Sequence, residues 1–429
     1  YIITLSSAKP YDRSFWLSAF IIWLSIALWI IFQQNLNGIP AVIVFLALLF
    51  SACMICHGEL IRLKPHQQDL TLFYLFIALG GMLGGLFTNA VLLLLLTQWW
   101  DFYVPMIIIT LLVVMLGIDQ LQKAKHLWNL GVASISVMVF LALLCAIFYQ
   151  IYFPKQHLIA AERSLYGFLR VFDDRYPDPT LNDRRLMHGT IIHGLEYQDP
   201  AKKLWPTLYY GWNSGAGIAI KFLRENTTRP LKIGVVGLGC GTIAALTHQG
   251  DEITFYEIDD KVNKIAHHYF SFLKLSAAAN QIILGDARIQ LQKELSLPHF
   301  RKYDLLVIDA FNGDAIPFHL ITKEAMQIYR DHLTEDGIIA FHTSNTYLDL
   351  LPVTKALATD QHCAFYWLKS HQEISKDIVP STWALISCHK ELAPWLNKQR
   401  GFDLKPTAEV SPILWTDDYN SILPLLRWR

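Results

Sequence analysis

Charge is what the first third of this chain lacks. Between residues 14 and 153 there are eight Asp, Glu, Lys or Arg residues: Glu59, Arg62, Lys64, Asp69, Asp101, Asp119, Lys123 and Lys125. That scarcity excludes an ordinary soluble domain there, since such domains carry about a quarter of their residues as charges. The whole chain of 429 residues is 53% hydrophobic, 17% charged and without net charge. Balanced charge argues against a nucleic-acid partner. Cysteine is scarce too: Cys53, Cys56, Cys145, Cys240, Cys363 and Cys388 are scattered, with no disulfide framework evident. No pair among His188, His193, His267 and His268 has i,i+4 spacing with a third ligand nearby, so no metal centre is expected.

What takes the place of charge is apolar sequence. Uncharged stretches near 15–32, 39–57, 70–96, 103–118 and 127–153 approach or exceed the roughly 20 residues that cross a bilayer. Residues 1–153 therefore read as a transmembrane helical region seated in lipid, followed by a globular part. Nothing at the N-terminus resembles a cleavable signal, because the charged residues there lead into too long an apolar run. The chain opens on Tyr1 rather than Met, so five spans is read as a minimum. The third span carries "GGMLGG", where small residues let helix backbones approach closely or permit a bend.

Basic residues mark the cytoplasmic side of a membrane protein. Lys9 and Arg13 precede span one, Arg62 and Lys64 follow span two, and Lys123 and Lys125 follow span four. This pattern puts the N-terminus inside and the region after span five outside. No charge lies at a span centre, which argues against coupled transport. "CMICH", 53–57, has the spacing of a c-type haem attachment site, but it falls inside an apolar span and reads as chance.

Residues 154–212 read as a small β-rich domain, with "SLYGFLRVFD" and "RRLMHGTIIHGLEYQ" punctuated by Gly and Asp. From 213 the rhythm changes. "SGAGIAIKFLREN" is helical, and "LKIGVVGLG", "EITFYEID", "QIILGDA", "YDLLVIDAF" and "GIIAFHTSN" are strands separated by helices that include "GTIAALTHQ" and "KVNKIAHHYFSFL". Such alternation predicts a parallel sheet covered on both faces, with ligands beyond the carboxyl ends of the strands. Cys363 and Cys388 lie on neighbouring strands in this reading and would pair if the domain were extracytoplasmic.

Those strand ends carry the chemistry. The first stops in "GLGCGT", where Gly237, Gly239 and Gly241 allow a tight turn and close approach of backbone to a nucleotide. The second ends in "YEID", offering Glu257 and Asp259 to ribose hydroxyls about twenty residues on. The third ends in "GDA", with Asp286 and Ala287 at an adenine position, and the fourth ends at Asp309. Four consecutive ends of this kind predict a nucleoside site.

With these residues assembled, the chain from about 162 onward resembles the spermidine synthase family of polyamine aminopropyltransferases. The likeness lies in "RSLYG", "MHGTIIHGLE", "PTLYYG", "GLGCGT", "YEID", "GDA", "DAFNGDAIP", "FHTSN" and "TDDYNSI". "CHGELIRLKP" and "LTLFYLFIALGGMLGGLF" look like its bacterial branch fused to transmembrane helices. The resemblance implies a small β-domain before a Rossmann-like methyltransferase fold in the bacterial inner membrane. It implies decarboxylated S-adenosylmethionine as co-substrate, held by the glycine loop, Glu257 and Asp286. Asp309 then stands in the place of the base that takes a proton from an attacking amine, and Tyr209 in that of the tyrosine that orients it. Two departures concern the acceptor. The family's Asp-Ser-Ser-Asp is here "DAFN", so Asn312 replaces the second acid, with Asp314 beyond Gly313 as its substitute, and the acidic pair before the tyrosine is replaced by Trp205 and Pro206.

Two functions follow as expectations. One is a membrane-anchored transferase using S-adenosylmethionine or its decarboxylated form, with a small-molecule amine or related acceptor entering near Tyr209 and His193. The other is a catalytically inactive subunit or assembly factor that works with other membrane proteins. Adenosyl donor chemistry favours a cytoplasmic globular domain, whereas the charge pattern favours an external one.

Overall fold

The computed structural model describes residue 4 and residues 11–32, 39–91, 100–123, 127–152, 157–189, 191–310, 317–373, 377–406 and 408–427. It divides into two compact units, Tyr1–Lys155 and Gln156–Arg429.

The first unit is helical: α1 (Arg13–Phe32), α2 (Ile39–Arg62), α3 (Leu70–Leu86), α4 (Trp100–Lys123) and α5 (Leu127–Tyr152). All five are long and apolar enough to cross a membrane, the third when the turns flanking it are counted, Gln67–Val91. A helix satisfies every backbone group within its own segment, as a stretch with so few polar side chains requires. Leu17, Phe20 and Leu24 of α1, Leu48 and Ile55 of α2, Val113 of α4 and Leu143 of α5 share one core. By contrast α3 buries no residue. It runs unbroken through its glycines and passes into a π-helical turn, Phe87–Val91, so no break occurs there; 92–96 lie outside the described residues. The "CMICH" stretch sits within the unbroken α2.

Charges meet at one end of this unit. The Arg13 guanidinium is bonded to both oxygens of Glu59 and lies 2.7 Å from Asp119, which in turn accepts from Lys123 at 2.9 Å. Thus the start of α1, the end of α2 and the end of α4 lie together, as helices alternating in direction require.

The second unit begins with an antiparallel meander, β1 (His157–Ser164), β2 (Gly167–Asp174), β3 (Asp183–His188) and β4 (Ile191–Tyr197). After α6 (Gly215–Asn226), N-capped by the Ser214 hydroxyl, come β5 (Lys232–Val236), β6 (Glu252–Glu257), α7 (Asp260–Tyr269), α8 (Phe272–Leu275), β7 (Ala279–Leu284), α9 (Ala287–Glu294) and β8 (Tyr303–Ile308). The chain continues with α10 (Lys323–Asp331), β9 (Leu333–His342), α11 (Leu351–Asp360), β10 (Ala364–Ser370), β11 (Thr382–Ser387), α12 (Leu392–Leu396) and β12 (Phe402–Leu404).

These strands form one eight-stranded sheet in the order β12-β10-β11-β9-β8-β5-β6-β7. From β9 to β7 the neighbours are parallel; β11, β10 and β12 extend the β9 edge antiparallel. The expected parallel sheet is present, and the antiparallel extension adds to it. Leu305 and Val307 of β8 face one core with Ile218 and Phe222 of α6. Leu306 and Ile308 face another with Met326 and Tyr329 of α10 and Val353 and Leu357 of α11. A strand covered on both faces in this way reads as the continuous apolar run seen in its sequence.

Two helix expectations are corrected. "GTIAALTHQ" forms only a short 3-10 segment, Thr242–Leu246, because Gly241 before it is left-handed (φ +84°) and Thr247 after it is extended. "KVNKIAHHYFSFL" is split into α7 and α8, since Phe270 adopts an extended conformation. Cys363 and Cys388 are joined as a disulfide, Cα atoms 4.6 Å apart, one residue beyond the Ala364–Ser387 pair of β10 and β11.

Candidate active site

All of the strand-end residues picked out in the sequence gather along one edge of the large sheet. Gly237 follows β5, and its N–H donates to the Tyr256 carbonyl of β6; the Asp309 N–H donates to Val236 of β5. Gly237 has φ +99°, and a Cβ there would run into the Asp309 backbone. Only glycine fits that turn, which brings the loop against the end of β8. Gly239 is also left-handed, φ +54°, and its outer side lies against the His193 carbonyl.

Glu257 anchors this loop. Its carboxylate accepts the Leu238 N–H and the Asp259 N–H, each at 2.9 Å. Burial pushes its pKa up, against the pull of those backbone donors. Asp259 caps α7 through one oxygen, which takes the Lys261 N–H at 2.9 Å. Its other oxygen is buried and has no partner among the described residues. A buried acceptor left open is a place for a ligand hydroxyl.

Asp286 caps α9, accepting the Ile289 N–H at 2.9 Å, while its second oxygen lies 2.7 Å from Nε2 of His319. Ala287 is buried as the first residue of α9. His319 went unnoticed in the sequence, for it lies 33 residues from Asp286 and no spacing rule links them.

Asp309 has 6% of its side chain exposed. One oxygen accepts from the Tyr210 hydroxyl and the other lies 2.7 Å from Nδ1 of His342. The His342 ring is stacked between Tyr209 (centroids 4.4 Å apart) and Trp383 (4.7 Å). Tyr209, the tyrosine picked from the sequence, thus lies in the cluster against His342, and its neighbour Tyr210 donates its hydroxyl to Asp309. Burial, reinforced by the Asp309 charge, pushes both phenols well above 10, so they stay protonated donors. Neither His342 nor Tyr210 was singled out in the sequence. The signal for His342 was its place at the end of the strand after Asp309.

His193 of β4 faces the same cluster. Its Nε2 is sealed from solvent without a partner among the described residues. Burial and then the adjacent His188, whose ring lies 5.5 Å away, lower its pKa to about 4, with Asp309 pulling weakly the other way. Asn312 and Asp314 lie outside the described residues. Among the described residues no group of three His, Cys, Asp or Glu assembles that would hold a metal ion.

A glycine loop and acids at consecutive ends of a parallel sheet, with an antiparallel extension, define the class: a Rossmann-like, methyltransferase-type nucleoside fold. No family model matches the chain. Sequence relatives are more specific. The polyamine aminopropyltransferase of Vibrio vulnificus is 28% identical over 213 residues, 49% of this chain and 67% of its own length. A probable polyamine aminopropyl transferase of Bifidobacterium longum is 26% identical over 190 residues, 44% of this chain and 37% of its own. The N-terminal histidine N-methyltransferase of Emericella nidulans is 37% identical over 109 residues, 25% of this chain and only 19% of its own. The chain therefore spans two thirds of the first relative and far less of the other two.

In sequence the globular unit is similar to polyamine aminopropyltransferases, a spermidine synthase-like likeness. Among solved structures, spermidine synthase from Thermotoga maritima aligns over 62% of this chain and 81% of its own, at 16% identity and a TM-score of 0.38. A probable spermidine synthase from Corynebacterium glutamicum aligns over 59% and 95%, at 13% and 0.44. Scores this low add nothing to what the sheet order already carries.

Proposed function

We propose that the globular unit transfers an alkyl group from the sulfonium of S-adenosylmethionine, or of its decarboxylated form, to an amine or related nitrogen held at Asp309. The observation that carries this is the buried Asp309 carboxylate at the end of β8, fixed through both oxygens beside a glycine loop anchored by Glu257. The residues fit such a donor: the open oxygen of Asp259 suits a ribose hydroxyl, and the left-handed glycines leave the loop without side chains. Glu257, Asp259 and Asp286 would hold the nucleoside, and bound there the donor supplies an electrophilic carbon next to sulfur. Asp309 would take the proton that frees the acceptor nitrogen, with Tyr209 and His193 in the cluster around it. The aminopropyltransferase relatives support aminopropyl as the moved group, and the histidine N-methyltransferase supports methyl.

A second reading, a noncatalytic membrane subunit, is favoured by the side of the membrane. Arg13, Arg62 and Lys123 gather where α1 begins and α2 and α4 end, and basic ends face the cytoplasm. Since α5 starts at that end, the globular unit would follow on the opposite side, where a disulfide such as Cys363–Cys388 persists. Adenosyl sulfonium donors are made in the cytosol, so an external site needs its donor delivered.

Calorimetry on the full chain in detergent decides between the two. The transferase reading expects binding of at least one among S-adenosylmethionine, its decarboxylated form and methylthioadenosine, with Asp309→Asn still binding but inactive. No heat from any of the three would sink it.

A further inference from the structure

We propose that His342 is a positioning residue for Asp309: it fixes the carboxylate's orientation and sets the pH at which that carboxylate takes up a proton. The proposal rests on the transferase reading for what the proton uptake serves, and on geometry alone for the pairing itself.

The sheet register brings the two together. Ile308 of β8 pairs with Phe341 of β9, so Asp309 and His342 leave adjacent parallel strands at the same height. A carboxylate only accepts, so Nδ1–H of His342 donates across the 2.7 Å between them. The ring cannot swing away easily. Tyr209 lies on one face, at 20° to it, and Trp383 on the other at 29°, and Trp383 is itself paired with His342 across β11 and β9. With Tyr210 donating to the second oxygen, each oxygen keeps lone-pair capacity toward an incoming N–H.

The reaction needs such a clamp. An acceptor arriving as an ammonium must give one proton to a base before its lone pair can attack. That pair then forms the new carbon–nitrogen bond, and the carbon–sulfur bond breaks with its electrons left on sulfur. The proton rests on Asp309, and the product nitrogen keeps the positive charge that the sulfonium loses. In a dry aromatic pocket the neutral acid is favoured over the carboxylate, and donors aimed at the charged form oppose that. Tyr209 and Tyr210, from the connection between β4 and α6, stay protonated, and Cys240 of the glycine loop is pushed up to about 12 by burial. His193 of β4 is depressed to about 4.

The test uses the full chain in detergent with aspartate carrying a carbon-13 label at the carboxyl. Asp309→Asn identifies the Asp309 signal by its loss. His342→Phe keeps a flat ring between Tyr209 and Trp383 but removes the donor; His342→Gln keeps an N–H donor but removes the ring. The Asp309 signal of His342→Phe should titrate about one to two pH units above that of the unsubstituted chain, and His342→Gln within about half a unit of it. An unmoved signal in His342→Phe, or an equal shift in both variants, overturns the proposal. Calorimetry with S-adenosylmethionine on the same samples separates the two failures: absent binding would count against the transferase reading and leave the titration readable.

Discussion

Cys363 and Cys388 face each other across β10 and β11 and are covalently joined, closing a loop of 25 residues at the antiparallel extension of the sheet. A bond closing a loop of that size restricts the unfolded chain, worth about 3 kcal/mol in the chain-entropy account. Replacing both residues with serine should lower the thermal unfolding midpoint of the full chain, and dithiothreitol should do the same to the unsubstituted protein only. Protein taken from membranes with thiols blocked should carry the bond. Finding both thiols free there would count against an external globular unit.

Glu257 ties β6 to the glycine loop by accepting from Leu238 and Asp259. Glu257→Gln keeps one acceptor oxygen and puts an NH2 group where the other was, opposite a backbone N–H. Leaving a buried donor unmet costs about 1–3 kcal/mol. S-adenosylmethionine should therefore bind roughly 10- to 100-fold more weakly to this variant by calorimetry. Because burial raises its folded pKa, Glu257 takes up a proton at a higher pH than in the unfolded chain. Its ionised form then opposes folding as pH rises through the window above the ordinary glutamate range, and nucleoside affinity, which needs the carboxylate, should fall as pH drops through the same window. Affinity that is flat with pH would contradict the assigned role.

Much of this fold was legible because its strands are buried on both faces and stop abruptly at glycine or acid. The run of β8 and the carboxylate after it, Asp309, need no partner to be recognised. What was not legible depends on which elements become neighbours. His342 matters through the parallel register of β8 and β9, and Tyr210 through a bond to a residue 99 positions away. That both of two consecutive tyrosines turn toward the acid is likewise not written in the sequence. The 3-10 segment after Gly241 read as a helix because its composition suits one, and only the backbone conformations on either side cut it short. For Cys363 and Cys388, strand adjacency could be anticipated, but not that they stand directly opposite.

Tyr210 gives the most local test of the Asp309 clamp. Tyr210→Phe keeps the ring near Trp383 and removes only the hydroxyl that donates to the carboxylate. A hydrogen bond to a charged group contributes about 1.5–3 kcal/mol. Label transfer from S-adenosylmethionine or its decarboxylated form to small amines should therefore fall roughly 10- to 100-fold, while donor affinity stays within about twofold. A loss of donor affinity as large as the loss of transfer would move Tyr210 from the acceptor side of the pocket to the nucleoside side.

His193 predicts how the globular unit responds to acid. Burial depresses its pKa to about 4, so the folded chain keeps it neutral where the unfolded chain, near 6.5, takes up a proton. Between those two values the unfolded state binds more protons. Stability contributed by the neutral imidazole is present above about pH 6.5 and is lost as pH falls toward 4. The loss by pH 4.5 amounts to about 2 kcal/mol. His193→Phe removes the titrating group and keeps a ring in the cluster, so its stability should fall less between pH 7 and pH 4.5 than that of the unsubstituted chain, by about that amount. Denaturant unfolding of both proteins at the two pH values measures the difference. Parallel losses in the two proteins would mean that the ring is reached by water, and that its Nε2 is not the sealed group facing Asp309.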